Sequence, residues 1–288
     1  MQPPFLTSVW CELPWTDFVP FSRRSSRDFP SGPGMYRVRV AGAERLAYVG
    51  ETGRSLRERL TALRSRTLAA EMPFNDPHTA APRLWSYRTA DGLEYEASAA
   101  GISLSKKDRK SLESFLVWSY RREAGTSTLC NFGRMHPLYT ASRNRSTGVR
   151  GRLLEAGEQG TVYGASVPAL QLFGTPGAND WMGLTWSPPA PLAARSLAPL
   201  SGRRGVYVVS VEPGGVIYIG ESGNLAQRLY QHASRAWGAE PQYRFCELPD
   251  HTGTQRLEVE NDLIAGYYAQ HRKAPAGQFG EDDSAPAE

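Results

Sequence analysis

Residues 205–232, with the sequence GVYVVSVEPGGVIYIGESGNLAQRLYQH, decide the fold. Val206–Val211 and Val216–Ile219 are short runs of β-branched and aromatic residues, and the Glu-Pro-Gly-Gly segment between them is typical of a turn. A glycine-bearing loop then leads into a helical pattern. The stretch therefore predicts two antiparallel strands, a loop and a helix.

Four side chains in this stretch have the chemistry of a phosphate-handling site. Direct pairing of the strands predicts that Tyr207 lies opposite Tyr218 on one face of the sheet. Arg228 and His232 are four residues apart, so a helix presents them on one face. Each residue has an ordinary alternative: aromatic side chains are common in strands, and both Arg228 and His232 could be structural. The spaced pair of tyrosines beside glycine and arginine favours the site.

The residues Gly205-Val206-Tyr207, Tyr218-Ile219-Gly220, Arg228 and His232 resemble the GIY-YIG nuclease family. Members of the family also carry a glutamate on a later helix, and Glu260 resembles this residue. Many carry an asparagine after it, and this sequence has Gln278 at that place. The resemblance implies hydrolysis of phosphodiester bonds with a divalent metal.

The sequence also contains a second, earlier copy of this pattern. Trp10 precedes Tyr36 by 26 residues, as Trp181 precedes Tyr207. Such a repeat predicts two tandem domains. The resemblance places the first copy's site residues at Tyr36, Tyr48, Arg59, Glu113 and Asn131. We expect a first domain with its Trp-containing extension over 1–133, a basic linker over 134–180, a second domain over 181–280 and a disordered acidic tail over 281–288.

The predicted fold class is α+β, with two GIY-YIG-like domains that each have a small three-stranded antiparallel sheet flanked by helices. Leu84–Arg88 and Gln242–Glu247 are the predicted third strands. The first copy is longer by an insertion around Arg66–Pro82, whose prolines indicate a loop. The tryptophans before each copy are expected to pack against it, with stacking on nucleic-acid bases as the alternative; they are Trp10, Trp15, Trp181 and Trp186.

Both motif glutamates lie within the apolar stripe of a predicted helix, where a carboxylate is costly unless a cation pairs with it. One alternative is a salt bridge to arginine. We favour Glu113 and Glu260 as ligands of Mg²⁺ or Mn²⁺, as the resemblance implies. The neighbouring Glu258 is expected to be solvated.

The family pattern implies a role for each remaining residue. Arg59 or Arg228 would clamp a phosphate oxygen, a tyrosine would deprotonate or hold the attacking water, and Asn131 would position these elements or touch phosphate. His232 would be a second base or a phosphate donor. Leu63 replaces this histidine in the first copy. The sequence leaves open whether one or both copies are active, with Asn131 favouring the first.

Arginines without nearby acids mark the predicted linker. They are either a solvated surface or an arm along a nucleic-acid backbone, and the candidates are Arg134, Arg143, Arg145, Arg150 and Arg152.

Composition limits the other classes of function. The chain has 288 residues, a net charge of +4 and three widely separated cysteines, so a zinc or disulfide framework is not expected. Its sequence shows neither a signal-peptide pattern nor a long apolar run, and we expect a soluble cytoplasmic protein without a membrane partner.

The predicted function is a metal-dependent endonuclease that cuts double-stranded DNA, of a restriction, defence or mobile-element type, acting as a pseudo-dimeric monomer or a homodimer. The alternatives are a repair or recombination nuclease and a DNA-binding protein with one or both copies degenerate.

Overall fold

The computed structural model describes residues 2–23, 27–158, 160, 164–194, 197–213 and 215–280. The chain separates into two compact units. Unit 1 comprises Met1–Ser105 and Ser119–Ser166, and unit 2 comprises Lys106–Trp118 and Val167–Glu288. The tail predicted over 281–288 lies outside the described residues, as does Gly214 of the predicted turn.

Unit 1 is built on an antiparallel sheet. Its strands and helices are β1 (Val9–Trp10), β2 (Leu13–Pro14), β3 (Val19–Pro20), β4 (Gly34–Val40), β5 (Leu46–Thr52), α1 (Leu56–Thr67), α2 (Ala81–Asp91) and β6 (Tyr95–Gly101). The main sheet has the order β3-β6-β4-β5, and β1 pairs with β2 separately. Helix α3 (Lys106–Ala124) follows, and its residues are divided between the two units.

Among the described residues, unit 2 repeats the main sheet of unit 1 but has no helix equivalent to α2 and no strand pair equivalent to β1 and β2. Its elements are β7 (Ala190–Pro191), β8 (Gly205–Val211), β9 (Gly215–Ser222), α4 (Leu225–Ala233), β10 (Pro241–Glu247) and α5 (Gly253–His271). The sheet order is β7-β10-β8-β9, which corresponds strand for strand to that of unit 1. The described residues therefore form an α+β structure, as predicted.

Each main sheet has four strands rather than the predicted three. The fourth strands, β3 and β7, are two residues long and end in Pro20 and Pro191. Proline cannot donate a ladder hydrogen bond, so it is tolerated at a sheet edge. Strands this short carry no periodicity, which is why the sequence does not reveal them.

The predicted strand at Leu84–Arg88 is wrong, because these residues lie in α2. Proline in the first turn and Gly92 in the left-handed conformation after Asp91 mark the two ends of this helix. The third strand is β6 instead, and its alanines gave a weak strand signal. In unit 2 the predicted strand is confirmed as β10.

The predicted register of the central hairpin is also wrong. Tyr207 pairs with Gly220, and Tyr218 pairs with Val209. A bulge leaves Ile217 as an extra residue between these pairs and those nearer the turn. Because the observed register differs from the predicted one by two residues, both tyrosines still project from the same face. Unit 1 has the same bulge at Ala47.

The tryptophans before each sheet are buried, as predicted. Trp15 Nε1 donates to Trp10 O at 3.1 Å, and Trp186 Nε1 donates to Trp181 O at the same distance. In both pairs the ring centroids are 6.0 Å apart.

Part of the predicted linker is a hairpin-like segment, residues 139–153, which we call the basic hairpin. Tyr139 and Leu153 form a β-bridge, and Arg143 N donates to Val149 O at 3.0 Å. Its residues cluster with unit 1. Across the described ranges, none of the helices has the length and apolar character needed to cross a membrane.

Candidate active site

The two tyrosines of unit 2 lie side by side on one face of its sheet. Their ring centroids are 6.1 Å apart. The ring of Tyr207 lies directly over Gly220, where a Cβ atom would be 2.4 Å from the phenol oxygen. Glycine is therefore required at position 220 because the phenol occupies the place of a side chain.

His232 joins this pair from helix α4. Asn224 caps the helix by accepting from Gln227 N, and His232 lies in its last turn. The Nε2 atom of His232 is 2.7 Å from Tyr207 Oη, and its ring centroid is 4.6 Å from that of Tyr218. Both hydrogen-bonded side chains are buried.

The environment of Tyr207 disfavours its phenolate. Burial raises the pKa of Tyr207 well above 10, the neighbouring Tyr218 and Glu260 raise it further, and Arg228 opposes them. The phenol is therefore protonated at neutral pH in the protein alone. Its contribution without a bound cation is a hydrogen bond, not proton abstraction.

Arg228 and Glu260 act on the same phenol from different helices. Arg228 is exposed on α4, and its Nη1 donates to Gln231 Oε1 at 3.3 Å. Glu260 is half-buried on α5. The structure thus brings together all five residues predicted from the unit 2 motif before Gln278.

An ion pair beside this site, between the buried Arg256 and the half-buried Glu221, was not anticipated. Arg256 Nε donates to Glu221 Oε2 at 2.9 Å and Nη1 donates to His251 O at 2.8 Å. The pair ties the first turn of α5 to the end of β9, one helical turn before Glu260. The sequence held a signal, because Glu51 and Arg109 occupy the corresponding positions of the first copy.

Glu260 suits a metal ion that is bound mainly by substrate and water. The described residues contain no group of three or more His, Cys, Asp or Glu side chains that could hold a metal. Mg²⁺ commonly binds one or two carboxylates and completes its octahedron with water and phosphate oxygens. A single carboxylate that acts on the phenol of Tyr207 fits that mode, whereas it does not fit a metal cage made by protein alone.

Unit 1 has the same phenols with a different partner. Tyr36 and Tyr48 have ring centroids 6.0 Å apart, and a Cβ atom at Gly50 would lie 2.5 Å from Tyr36 Oη. Arg59 Nε donates to Tyr36 Oη at 3.3 Å. Leu63, which occupies the position of His232, is fully buried in the core.

Glu113 lies on the segment of α3 that clusters with unit 2, whereas Tyr36, Tyr48 and Arg59 belong to unit 1. Its side chain is half-buried. The predicted role of Glu113 as a metal ligand stays a prediction.

Asn131 and Gln278 make the same contacts in the two units. Asn131 Oδ1 accepts from Val49 N at 3.0 Å and its Nδ2 donates to Val49 O at 2.9 Å. Gln278 Oε1 accepts from Ile219 N at 2.9 Å and its Nε2 donates to Ile219 O at 3.0 Å. Both amides are buried against a strand, so their observed role is to position β5 and β9.

The arginines predicted to bind nucleic acid differ in their surroundings. Arg134 is buried and donates to Gly164 O and Ala165 O, so it is not part of an exposed basic surface. Arg152 is exposed but forms a bidentate pair with Glu158.

The other three arginines are exposed on the basic hairpin: Arg143, Arg145 and Arg150. Arg150 also lies over the Phe74 ring at 4.4 Å and donates to Met72 O at 2.7 Å.

The prediction that Glu258 is solvated is wrong. This carboxylate is fully buried and accepts from Val167 N at 2.9 Å. Asp262, one turn later and equally buried, accepts from Leu170 N at 3.0 Å. The chain at 167–170 covers this face of α5, and its backbone donors offset the cost of burying the carboxylates.

Comparison of the chain with family models, with curated proteins and with solved structures finds no match.

Proposed function

We propose that this protein is a GIY-YIG-type endonuclease that hydrolyses phosphodiester bonds of DNA with Mg²⁺ or Mn²⁺. The observation that carries the proposal is the assembly around Tyr207. Its hydroxyl contacts His232 at 2.7 Å, Tyr218 stacks beside it, and Arg228 and Glu260 act on it electrostatically. This set combines a carboxylate for a metal with donors for a phosphate.

Each side chain has a distinct role in the proposed reaction. The exposed guanidinium of Arg228 binds a non-bridging phosphate oxygen and stabilises the charge that grows there. The hydrogen-bonded Tyr207 and His232 hold the attacking water, and the imidazole of His232 takes its proton as the general base. Glu260 would hold the metal ion, which when bound supplies Lewis-acid stabilisation of the phosphate.

A DNA-binding protein without catalysis is the second candidate. It is favoured by the complete burial of Tyr36 and Tyr207 and by the leucine at position 63. In that function the phenols only support a surface, and the exposed arginines bind the phosphate backbone.

Nicking of supercoiled plasmid separates the two functions. Glu260→Gln removes the metal-binding charge while preserving size, so we expect a fall in rate of at least about 100-fold with Mg²⁺. Glu240→Gln, at an exposed position before β10, is the matched control and should cut normally.

The nuclease proposal fails if Glu260→Gln nicks at the wild-type rate, or if the wild type nicks equally well in EDTA. Retention of plasmid in a gel-shift assay without any metal-dependent nicking would instead support the binding function.

A further inference from the structure

Unit 1 contains a loop, residues 68–80, that forms most of the insertion between α1 and α2. His78 lies in this loop with only 5% of its surface exposed. Its Nδ1 atom is buried and has no hydrogen-bond partner among the described residues. A buried polar atom of this kind calls for an explanation, such as a bound ligand.

Two arginines of α1 hold the loop around His78. Arg59 Nη1 donates to Pro77 O at 3.0 Å, and Arg66 Nη1 donates to Asp76 O at 3.0 Å. Arg59 also donates to Tyr36, the first phenol of unit 1. A single guanidinium therefore connects the phenol to the insertion.

The cluster around the imidazole is cationic. Burial lowers the pKa of His78 from 6.5 to about 4, with Arg59 and Arg66 as the next causes. Asp76 is engaged elsewhere, since its Oδ1 accepts from Arg145 N. On α2, Arg83 donates to Asn75 Oδ1 at 3.0 Å. Guanidinium groups clustered around a buried imidazole repel one another, and this arrangement is unfavourable unless a bound anion compensates their positive charge.

We propose that His78, Arg59 and Arg66 form a binding site for one phosphodiester group, with the insertion supplying the imidazole that α1 lacks at Leu63. This site depends on the proposed function in one respect only, namely that the bound phosphodiester belongs to DNA. A neutral imidazole donates through one nitrogen, and the phosphate oxygens accept from it and from the two guanidiniums. The bound charge then favours protonation of the second nitrogen.

The imidazole resonances of the wild-type protein test this site directly. Dimethyl phosphate, a minimal phosphodiester, is added at constant ionic strength, with sodium chloride as the reference, and the pKa of His78 is followed by NMR. We expect dimethyl phosphate to raise the pKa of His78 by at least one unit. The imidazole resonances of His271, which is exposed on α5, serve as the control and should not respond to dimethyl phosphate. An unchanged pKa for His78 at saturating dimethyl phosphate would overturn the proposal.

Binding of a labelled DNA duplex in EDTA gives a second measurement that needs no catalysis. His78→Ala should weaken binding roughly tenfold, His78→Gln should retain more affinity, and His271→Ala should match the wild type. Wild-type affinity for a folded His78→Ala variant would count against the site. If dimethyl phosphate raises the pKa of His78 but the protein does not nick plasmid, only the nuclease function is contradicted. If the protein nicks plasmid but the pKa of His78 does not respond, only this binding site is contradicted.

Discussion

Gln278 is one methylene longer than Asn131, yet both side chains end on the same two backbone groups of the adjacent strand. The sequence made their equivalence predictable, because each follows its motif glutamate by 18 residues. Their contacts could not be predicted, because they depend on the bulges at Ala47 and Ile217. The carbonyl groups of these bulge residues accept from Cys130 N at 2.9 Å and from Gly277 N at 2.8 Å.

Replacing Gln278 with alanine should destabilise unit 2. The change leaves the N–H and C=O of Ile219 without their partner in a buried setting, at about 1–3 kcal/mol for each unsatisfied group. Urea unfolding should therefore show a lower midpoint. Gln227→Ala, at an exposed position of α4, serves as the control. Equal midpoints for the two variants would show that the amide contributes little.

His78 should make the protein sensitive to mild acid. Its pKa is about 4 in the folded state and 6.5 in the reference state, so the unfolded chain binds more protons between these values. The free energy of unfolding contributed by this group is fully present above pH 6.5 and is lost as the pH falls towards 4.

At pH 5 the loss should be about 1–2 kcal/mol relative to pH 7. Urea unfolding of the wild type and of His78→Gln at both pH values measures it, because the variant lacks the titrating group. If the stability difference between the two proteins does not change with pH, His78 is not protected from protonation by the fold.

At the scale of elements, the strands of the motif and the loop of the insertion were predictable, whereas helix α2 after the loop was not. The β-branched and aromatic runs predicted β8 and β9 correctly. The two tyrosines were also correctly placed on one face of the sheet, because an error of two residues in the register does not change the face. The prolines of the insertion indicated a loop, and residues 68–80 form one, but Pro82 lies in the first turn of α2. Proline is compatible with a helix start, so its presence alone does not distinguish the two.

The basic hairpin should bind phosphates in a way that is independent of DNA sequence. Arg143 and Arg145 are exposed there. Replacing both with alanine should reduce the slope of log affinity against log salt by about 2, because each neutralised phosphate adds roughly 0.9 to that slope. Fluorescence anisotropy with a labelled duplex at several salt concentrations measures the slope. Arg152→Ala is the matched control, since this arginine is paired with Glu158. An unchanged slope in the double variant would remove the hairpin from the DNA surface.

At the scale of the whole molecule, the internal repeat was the most informative feature of the sequence. It predicted two similar units, and the structure describes two sheets with corresponding strand orders. What the sequence could not supply was the surroundings of each motif residue. Leu63 and His232 are at equivalent positions of the repeat, but Leu63 packs in the core of unit 1, whereas His232 contacts the phenol of Tyr207.

This difference between the units predicts the products of the proposed reaction. Unit 2 gathers two phenols, an imidazole, a guanidinium and a carboxylate, whereas unit 1 has a leucine at position 63 and its His78 is proposed only to bind a phosphodiester. Supercoiled plasmid should therefore become open-circular first, and linear DNA should follow only through a second, separate nick. Quantifying the three plasmid forms over time tests this. Linear product that appears together with the first open circles would instead indicate two active centres cutting in concert.

The amide contacts of Asn131 and Gln278 have a consequence for self-association. Within the described sheets, β5 and β9 are the outermost strands on one side, and an outermost strand presents backbone groups that a strand from another molecule could join. The amide and the backbone donor beside it occupy such groups near the middle of each strand. A strand from another molecule would therefore meet an interrupted row of backbone groups, and we expect the two amides to oppose edge-to-edge association at β5 and β9.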